Sequence, residues 1–273
     1  DAVGLRRPDD GLMVAEPVDL ERRPDGVGVV TLRRPDRLNA LSSELAAALH
    51  EAFRAAGTDD AVRAIVVAGE GKAFCAGADI GELDTLAGPQ GFSAFVRRLT
   101  DAFDALARCP TPSVAAIHGV ALGGGLELAL ACDLRVAEES ARLGVPEIKL
   151  GLLPGAAGTA RLPRLLPTAV AKQLLLTGEP LLAAEAHRLG LVNEVVPDGG
   201  GLDAALALAS RLAALPPLAL AAAKRLVDEG ASLPIDGAVT LERETVSMLF
   251  GTADRVEGVR AFLEKRPPTF EGC

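Results

Sequence analysis

The feature that most restricts this chain is an alternation that stops partway. As far as about residue 196, short runs of β-branched and small apolar residues alternate with segments whose apolar residues recur at helical spacing; beyond that point only helical patterns remain. Val27–Leu32, Ala64–Ala68, Pro112–Ile117, Asp133–Ala137 and Leu191–Val196 read as strands, bounded by turn residues such as Pro24-Asp25-Gly26 and Gly69-Glu70-Gly71-Lys72. Between them, Ser42–Ala56 carries Leu45, Ala48, Leu49, Ala52 and Phe53 on one helical face behind a Ser42 or Ser43 cap, and Phe92–Ala107 and Leu126–Cys132 read as helices. Two shorter helices are expected near Gly158–Leu165 and Val170–Leu176. This is the pattern of an α/β fold.

Pro197-Asp198-Gly199-Gly200-Gly201 is the clearest linker, and four helices follow it: Leu202–Ala214, Pro217–Glu229, Asp236–Phe250 and Ala253–Lys265. An Ala/Leu-rich tail of this kind cannot be well solvated alone, so it is expected to pack on its own α/β domain, on neighbouring subunits, or on both. The expected division is a disordered tail over 1–16, an α/β domain over 17–196 and a helical region over 197–273. Aromatic residues make up 3% of the chain, with no Trp and no Tyr, so aliphatic side chains must fill the core.

A net charge of −9 argues against nucleic acid as a partner, which wants a basic surface. No segment offers the roughly 20 uninterrupted apolar residues of a membrane span, so no membrane partner is expected. The four cysteines, Cys75, Cys109, Cys132 and Cys273, have no C-x-x-C spacing and read as reduced thiols of a cytoplasmic protein. His50, His118 and His187 form no triad or metal spacing, and no metal site is expected.

Two segments can carry chemistry. Ala73–Ile80 follows a strand, and Ile117–Leu128 runs through Gly123-Gly124-Gly125 into a helix. Consecutive glycines at that junction let a ligand approach the backbone, and the helix behind them points free N–H groups and the positive end of its dipole toward it. The segment lacks the G-K-[ST] ending of a phosphate loop and does not fit G-x-G-x-x-G, which leaves an oxyanion as the better ligand. Glu127 stands inside Leu126-Glu127-Leu128-Ala129-Leu130, where an acid is costly to bury without a purpose.

Taken together, Arg34-Pro35-Asp36-Arg37-Leu38-Asn39-Ala40-Leu41, Ala76-Gly77-Ala78-Asp79, the glycine turn, Gly144-Val145-Pro146-Glu147, Gly151-Leu152-Leu153-Pro154-Gly155 and Ala261–Arg266 resemble the crotonase (enoyl-CoA hydratase/isomerase) superfamily, along nearly the whole chain. The resemblance implies a spiral of β-β-α units with a C-terminal helical oligomerisation region. It implies an acyl-CoA thioester substrate, no cofactor beyond the coenzyme A carried by that substrate, and assembly as a homotrimer or a dimer of trimers. It maps the oxyanion-binding amides onto Ala78 and Gly124 and the two acids onto Glu127 and Glu147. It places the coenzyme and acyl group near Arg37, Leu38, Ala76, Asp79, Ile80, Gly123, Pro146, Gly155, Phe262 and Lys265. Both acids together favour hydration of a trans-2-enoyl-CoA; Glu147 alone would support Δ3,Δ2-isomerisation, and a silent acyl-CoA-binding scaffold is the non-enzymatic alternative. The chain departs from the family pattern at Ala157, where Gly is common, and at Ala160, where Gln is common. Residues 81–91 are expected to be a mobile loop lining the acyl pocket.

Overall fold

The computed structural model describes residues 16–273, so the expected tail, apart from Glu16, lies outside the described residues. The chain opens with β1 (Val18–Arg22), antiparallel to β2 (Val27–Leu32). A 3-10 turn at Pro35–Arg37 leads to α1 (Ser43–Thr58), where the Ser42 hydroxyl accepts the Leu45 amide at 3.1 Å. Then come β3 (Ala64–Gly69), α2 (Ile80–Leu83), α3 (Gly88–Ala107), β4 (Ser113–Ile117), β5 (Val120–Leu122) and α4 (Gly124–Ala131). Next are β6 (Leu134–Glu138), β7 (Arg142–Gly144), a 3-10 turn at Pro146–Leu150, α5 (Gly158–Leu165), α6 (Thr168–Thr177), β8 (Leu181–Leu182), α7 (Ala183–Arg188) and β9 (Glu194–Val196). The tail is α8 (Gly201–Ala213), α9 (Pro217–Gly230), α10 (Ile235–Leu249) and α11 (Ala253–Glu264).

The main sheet has the order β1-β2-β3-β4-β6-β9, and every pair in it except β1–β2 is parallel. A small sheet, β5-β7-β8, stands beside it. The expected α/β fold is thus present, with strand, short strand and helix recurring as the chain advances.

The strands look continuously apolar because both faces of the main sheet are covered. Val30, Leu32, Ile65, Val67, Ala115 and Ile117 turn to one face and pack with Leu45, Leu49 and Phe53 of α1 and with Phe74, Phe95 and Phe103, all nearly or fully inaccessible. Their neighbours Val27, Val29, Ala64, Val66, Val114 and Ala116 turn to the other face, which α8 covers with Ala205, Ala209 and Ala213. Small residues four apart on a helix let its axis lie close to the strands. The first tail helix therefore completes the core of the sheet, and only α9–α11 lie beyond it.

Several elements differ from the sequence reading. β1 alternates Val18 and Leu20 inward with Asp19 and Glu21 outward, a short half-buried edge strand that a search for continuous apolar runs passes over. β5, β7, β8 and α7 have two to six residues each, too few for a periodic signal. Residues 81–91 are not a plain loop. Asp79 caps α2 by accepting the Gly81 amide at 3.1 Å and the Glu82 amide at 3.4 Å, and α3 starts at Gly88-Pro89, four residues before the expected Phe92. The last strand is shorter than expected, because the Leu191 carbonyl turns to the Arg135 side chain at 2.7 Å.

Candidate active site

The segment Cys75–Asp79 is stitched to structure on two sides. The Cys75 amide donates to Val120 O at 3.0 Å and its carbonyl accepts the Leu122 amide at 3.0 Å. On the other side, the Leu41 amide donates to Gly77 O at 2.7 Å and the Asp79 amide to Leu41 O at 2.9 Å. In a trans peptide the N–H points opposite to the C=O, so the bond from Leu41 to Gly77 O aims the Ala78 N–H away from Leu41. That amide donates to no acceptor among the described residues. Two fasteners hold the segment in place. Buried Asn39 donates to Glu70 O and Ala73 O at 2.9 and 2.8 Å and accepts the Arg34 amide, and Arg34 forms an ion pair with Asp79 at 2.9 Å.

Facing Ala78 is the start of α4. Gly123 has φ +53, in the left-handed region where glycine is favoured, and a Cβ there would come within 2.8 Å of Glu147 Oε1. Gly124 is the first residue of the helix, so its amide has no partner within α4 and finds none elsewhere among the described residues. A Cβ on Gly124 would lie 3.9 Å from the Ala78 nitrogen and would press on Leu41 at 2.8 Å. The two free amides thus adjoin at the mouth of a helix dipole, an arrangement that attracts developing negative charge.

α4 is buried all round, and Glu127 projects from its first turn with 2% of its surface exposed. Its Oε1 accepts the Ala156 amide at 2.8 Å and the Gly158 amide at 2.7 Å, bonds that offset the cost of burial and fix the side chain. Burial pushes the Glu127 carboxyl up to about 7; the Glu147 charge adds to the rise, while the two amides and Arg161 oppose it. Glu147 lies in the 3-10 turn after Pro146; burial also raises its carboxyl above the usual range, and its Oε2 is buried with no hydrogen-bond partner among the described residues. These are two neighbouring carboxyls, both pushed toward protonation, one anchored and one with an oxygen free for a ligand.

A cavity of about 120 Å³ collects these groups. Of the residues singled out from the sequence, Ala76, Ala78, Ile80, Gly123, Gly124, Glu127, Pro146, Glu147 and Gly155 line it. Asp79 does not line it, since its carboxylate is committed to capping α2 and pairing with Arg34. Arg37 and Leu38 do not line it; Leu38 O accepts the amide of Ala76, which does. Phe262, 83% exposed, and Lys265 sit on and just after α11 and line no part of the cavity. The sequence reading missed the apolar wall formed by Leu83 and by Phe92, Phe95, Val96 and Leu99 of α3, together with the anchoring amides of Ala156 and Gly158. Residues 92, 95, 96 and 99 have regular helical spacing, which sequence alone reads as an ordinary core face. A larger cleft of about 710 Å³ between α9, α10 and the end of α3 brings no free amides and paired acids together.

Residues 22–273 match the sequence profile of the Enoyl-CoA hydratase/isomerase family. A probable enoyl-CoA hydratase of Bacillus subtilis is 42% identical over 247 residues, covering 90% of this chain and 95% of that protein. The 2,3-dehydroadipyl-CoA hydratase of Escherichia coli is 40% identical over 253 residues, covering 92% and 97%. The crystal structure of an enoyl-CoA hydratase from Bacillus anthracis superposes with a TM-score of 0.91 at 36% identity, covering 94% of this chain and 100% of the other. Matches this long, at this identity and with this agreement of fold, make the chain a member of the crotonase, or enoyl-CoA hydratase/isomerase, family.

Proposed function

We propose that the protein is an enoyl-CoA hydratase, adding water reversibly and in syn fashion across a trans-2-enoyl-CoA to give the 3-hydroxyacyl-CoA. The observation that carries this reading is the convergence of two buried carboxyls, Glu127 and Glu147, and two free amides, Ala78 and Gly124, on one cavity. In hydration, the oxygen of water bonds to C3 and a proton adds to C2, while the thioester oxygen passes through an enolate-like state. Donors preorganised at that oxygen are each worth about 2.7–4 kcal/mol. A carboxyl pair carrying one proton serves both ends of the addition: the ionised member takes a proton from water and the protonated member gives one to C2. The pair finishes with one proton, as it began, and its titration belongs to the couple. Coenzyme A enters and leaves with the substrate, and no further cofactor takes part in this scheme.

Loss of the enoyl-thioester absorbance with crotonyl-CoA tests the reading. Glu127→Gln and Glu147→Gln are each expected to lower kcat by about 10²–10⁴-fold. Full activity in both variants rules out the acid pair. Retention of 3-enoyl-CoA isomerisation by Glu127→Gln alone would favour the isomerase, and thioester binding without turnover a scaffold.

Among the described residues no single helix is long and apolar enough to cross a membrane. Met248, Phe250, Phe262 and Leu263 on and beside α10 and α11 are two-thirds or more exposed, which supports assembly of copies through the tail as a trimer or a dimer of trimers. Light scattering on the purified protein checks this. The three buried thiols, Cys75, Cys109 and Cys132, suit the reducing cytoplasm.

A further inference from the structure

Glu127 is gripped by a turn, and that turn is fastened by an arginine that lines no part of the cavity. Arg161 lies in the first turn of α5, and its amide donates at 2.8 Å to the carbonyl of Ala157, the residue between the two whose amides hold Glu127 Oε1. Its side chain, 19% exposed, reaches across to α3 and pairs with Asp104 at 3.2 Å. Asp104 also pairs with Arg108 at 3.0 Å, so one carboxylate is shared by two guanidiniums. Arg108 is 82% exposed, and solvent screens its charge. Arg161 is the enclosed member of the trio, and its Nη1 is buried with no hydrogen-bond partner among the described residues. A guanidinium that shares its counter-ion in this way keeps positive charge for its other neighbours.

The groups that act on Arg161 come from three neighbouring elements: Asp104 of α3, Glu127 and the capping Cys132 of α4, and Asp228 of α9. Burial pushes the Cys132 thiol up to about 12, so it is neutral near pH 7. Asp228 is raised by its own burial and then by Asp133, which is itself paired with Lys224 at 2.9 Å. Glu127 feels Glu147, a like charge, and Arg161, an opposite one. The cavity lining contains no Lys, Arg or His, so the cationic side chain that favours the ionised form of this acid stands outside the cavity. We infer that Arg161 is a positioning residue for the reaction: held by Asp104 beside the catalytic helix, it fixes the turn that grips Glu127 and supplies the positive charge against which that acid ionises. This role rests on the hydratase reading and adds to it a residue that touches neither substrate nor the reacting atoms.

The test is the pH profile of kcat/KM for crotonyl-CoA, measured on the full chain and on Arg161→Gln, Arg161→Met and Arg161→Lys, with circular dichroism to verify that each is folded. A positive charge favours the ionised carboxylate, so its removal makes each proton of the couple harder to lose. In the two neutral variants both limbs of the profile should move to higher pH by about half a unit or more. Their kcat/KM at pH 7 should fall by about tenfold to a hundredfold, because the turn that aims Glu127 is loosened. Arg161→Lys keeps the charge and is expected to hold both limbs near their wild-type positions and to recover most of the rate. The infrared band of the protonated Glu127 carboxyl, assigned by its loss in Glu127→Gln, follows the same titration with no substrate present and should move with the limbs. Neutral variants that lose rate while their limbs and the infrared titration stay in place would make Arg161 an ordinary structural residue and overturn the proposal, as would an Arg161→Lys profile displaced as far as theirs. A wild type inert on crotonyl-CoA overturns the hydratase reading, and the infrared titration then decides Arg161 alone: displaced in the neutral variants, its hold on Glu127 stands; unmoved, it falls.

Discussion

Replacing Glu127 with Gln is expected to stabilise the protein, by an amount that depends on pH. The carboxyl rises from its ordinary 4.5 to about 7 on folding, because burial disfavours its charge. Between those values the folded protein retains a proton that the unfolded chain has released, so stability falls as pH rises through this window. Weighing the two titrations, the penalty is about 1 kcal/mol at pH 5 and about 3 kcal/mol at pH 8. Gln is close in shape and its carbonyl can still accept the Ala156 and Gly158 amides, but it does not ionise. The gain of the variant over wild type should therefore be about 2–3 kcal/mol larger at pH 8 than at pH 5. Urea denaturation of both proteins at the two pH values, at one protein concentration, measures it. An equal difference at both pH values would refute the claim that the fold buries an acid against its titration.

The same pair predicts a bell-shaped dependence of kcat/KM on pH, with activity declining as the couple loses its shared proton above about pH 7; a flat profile from pH 6 to 9 would remove the proton-sharing scheme. Gly125→Ala should abolish stable folding or cost at least about 3 kcal/mol, because its Cβ would overlap the Cys75 carbonyl oxygen, which is itself bonded to the Leu122 amide; thermal melting of the soluble fraction tests this. Ala157 is held at φ +78 between the two residues whose amides anchor Glu127, and Ala157→Gly should stabilise by about 0.5–1 kcal/mol, the relief of the left-handed strain exceeding the added chain entropy. Its melting curve decides the sign.

How much of this was legible in the sequence depends on how local each signal was. The strands β2, β3 and β4 stand out as continuous runs of β-branched and small apolar residues, and the four tail helices because each repeats the helical period over many residues. Glu127 stood out because it interrupts an apolar helix, and Glu147, Ala78 and Gly124 because they sit in motifs that occur in family order. The wall of α3 was present as residues 92, 95, 96 and 99, yet a helix face against a core and one against a cavity have the same spacing; only the fold reveals which of these side chains lack a neighbour. The resemblance placed Asp79 near the coenzyme and acyl group, and the structure commits its carboxylate to capping α2 and pairing with Arg34. Phe262 and Lys265 belong to α11 and its C-terminal cap, which line no part of the cavity.

The position of α8 bears on how the chain can be made and cut. It rests on β2, β3, β4, β6 and β9 together, so its seat exists only once strands spanning residues 27–196 have assembled. On a ribosome, the sheet must wait with Val29, Val66 and Val114 uncovered until the helix emerges, an interval in which it can stick to other chains. A protein ended at the inviting Pro-Asp-Gly linker would stay in that waiting state permanently, while one ended after Ala214 keeps its lining and forfeits only the outer helices.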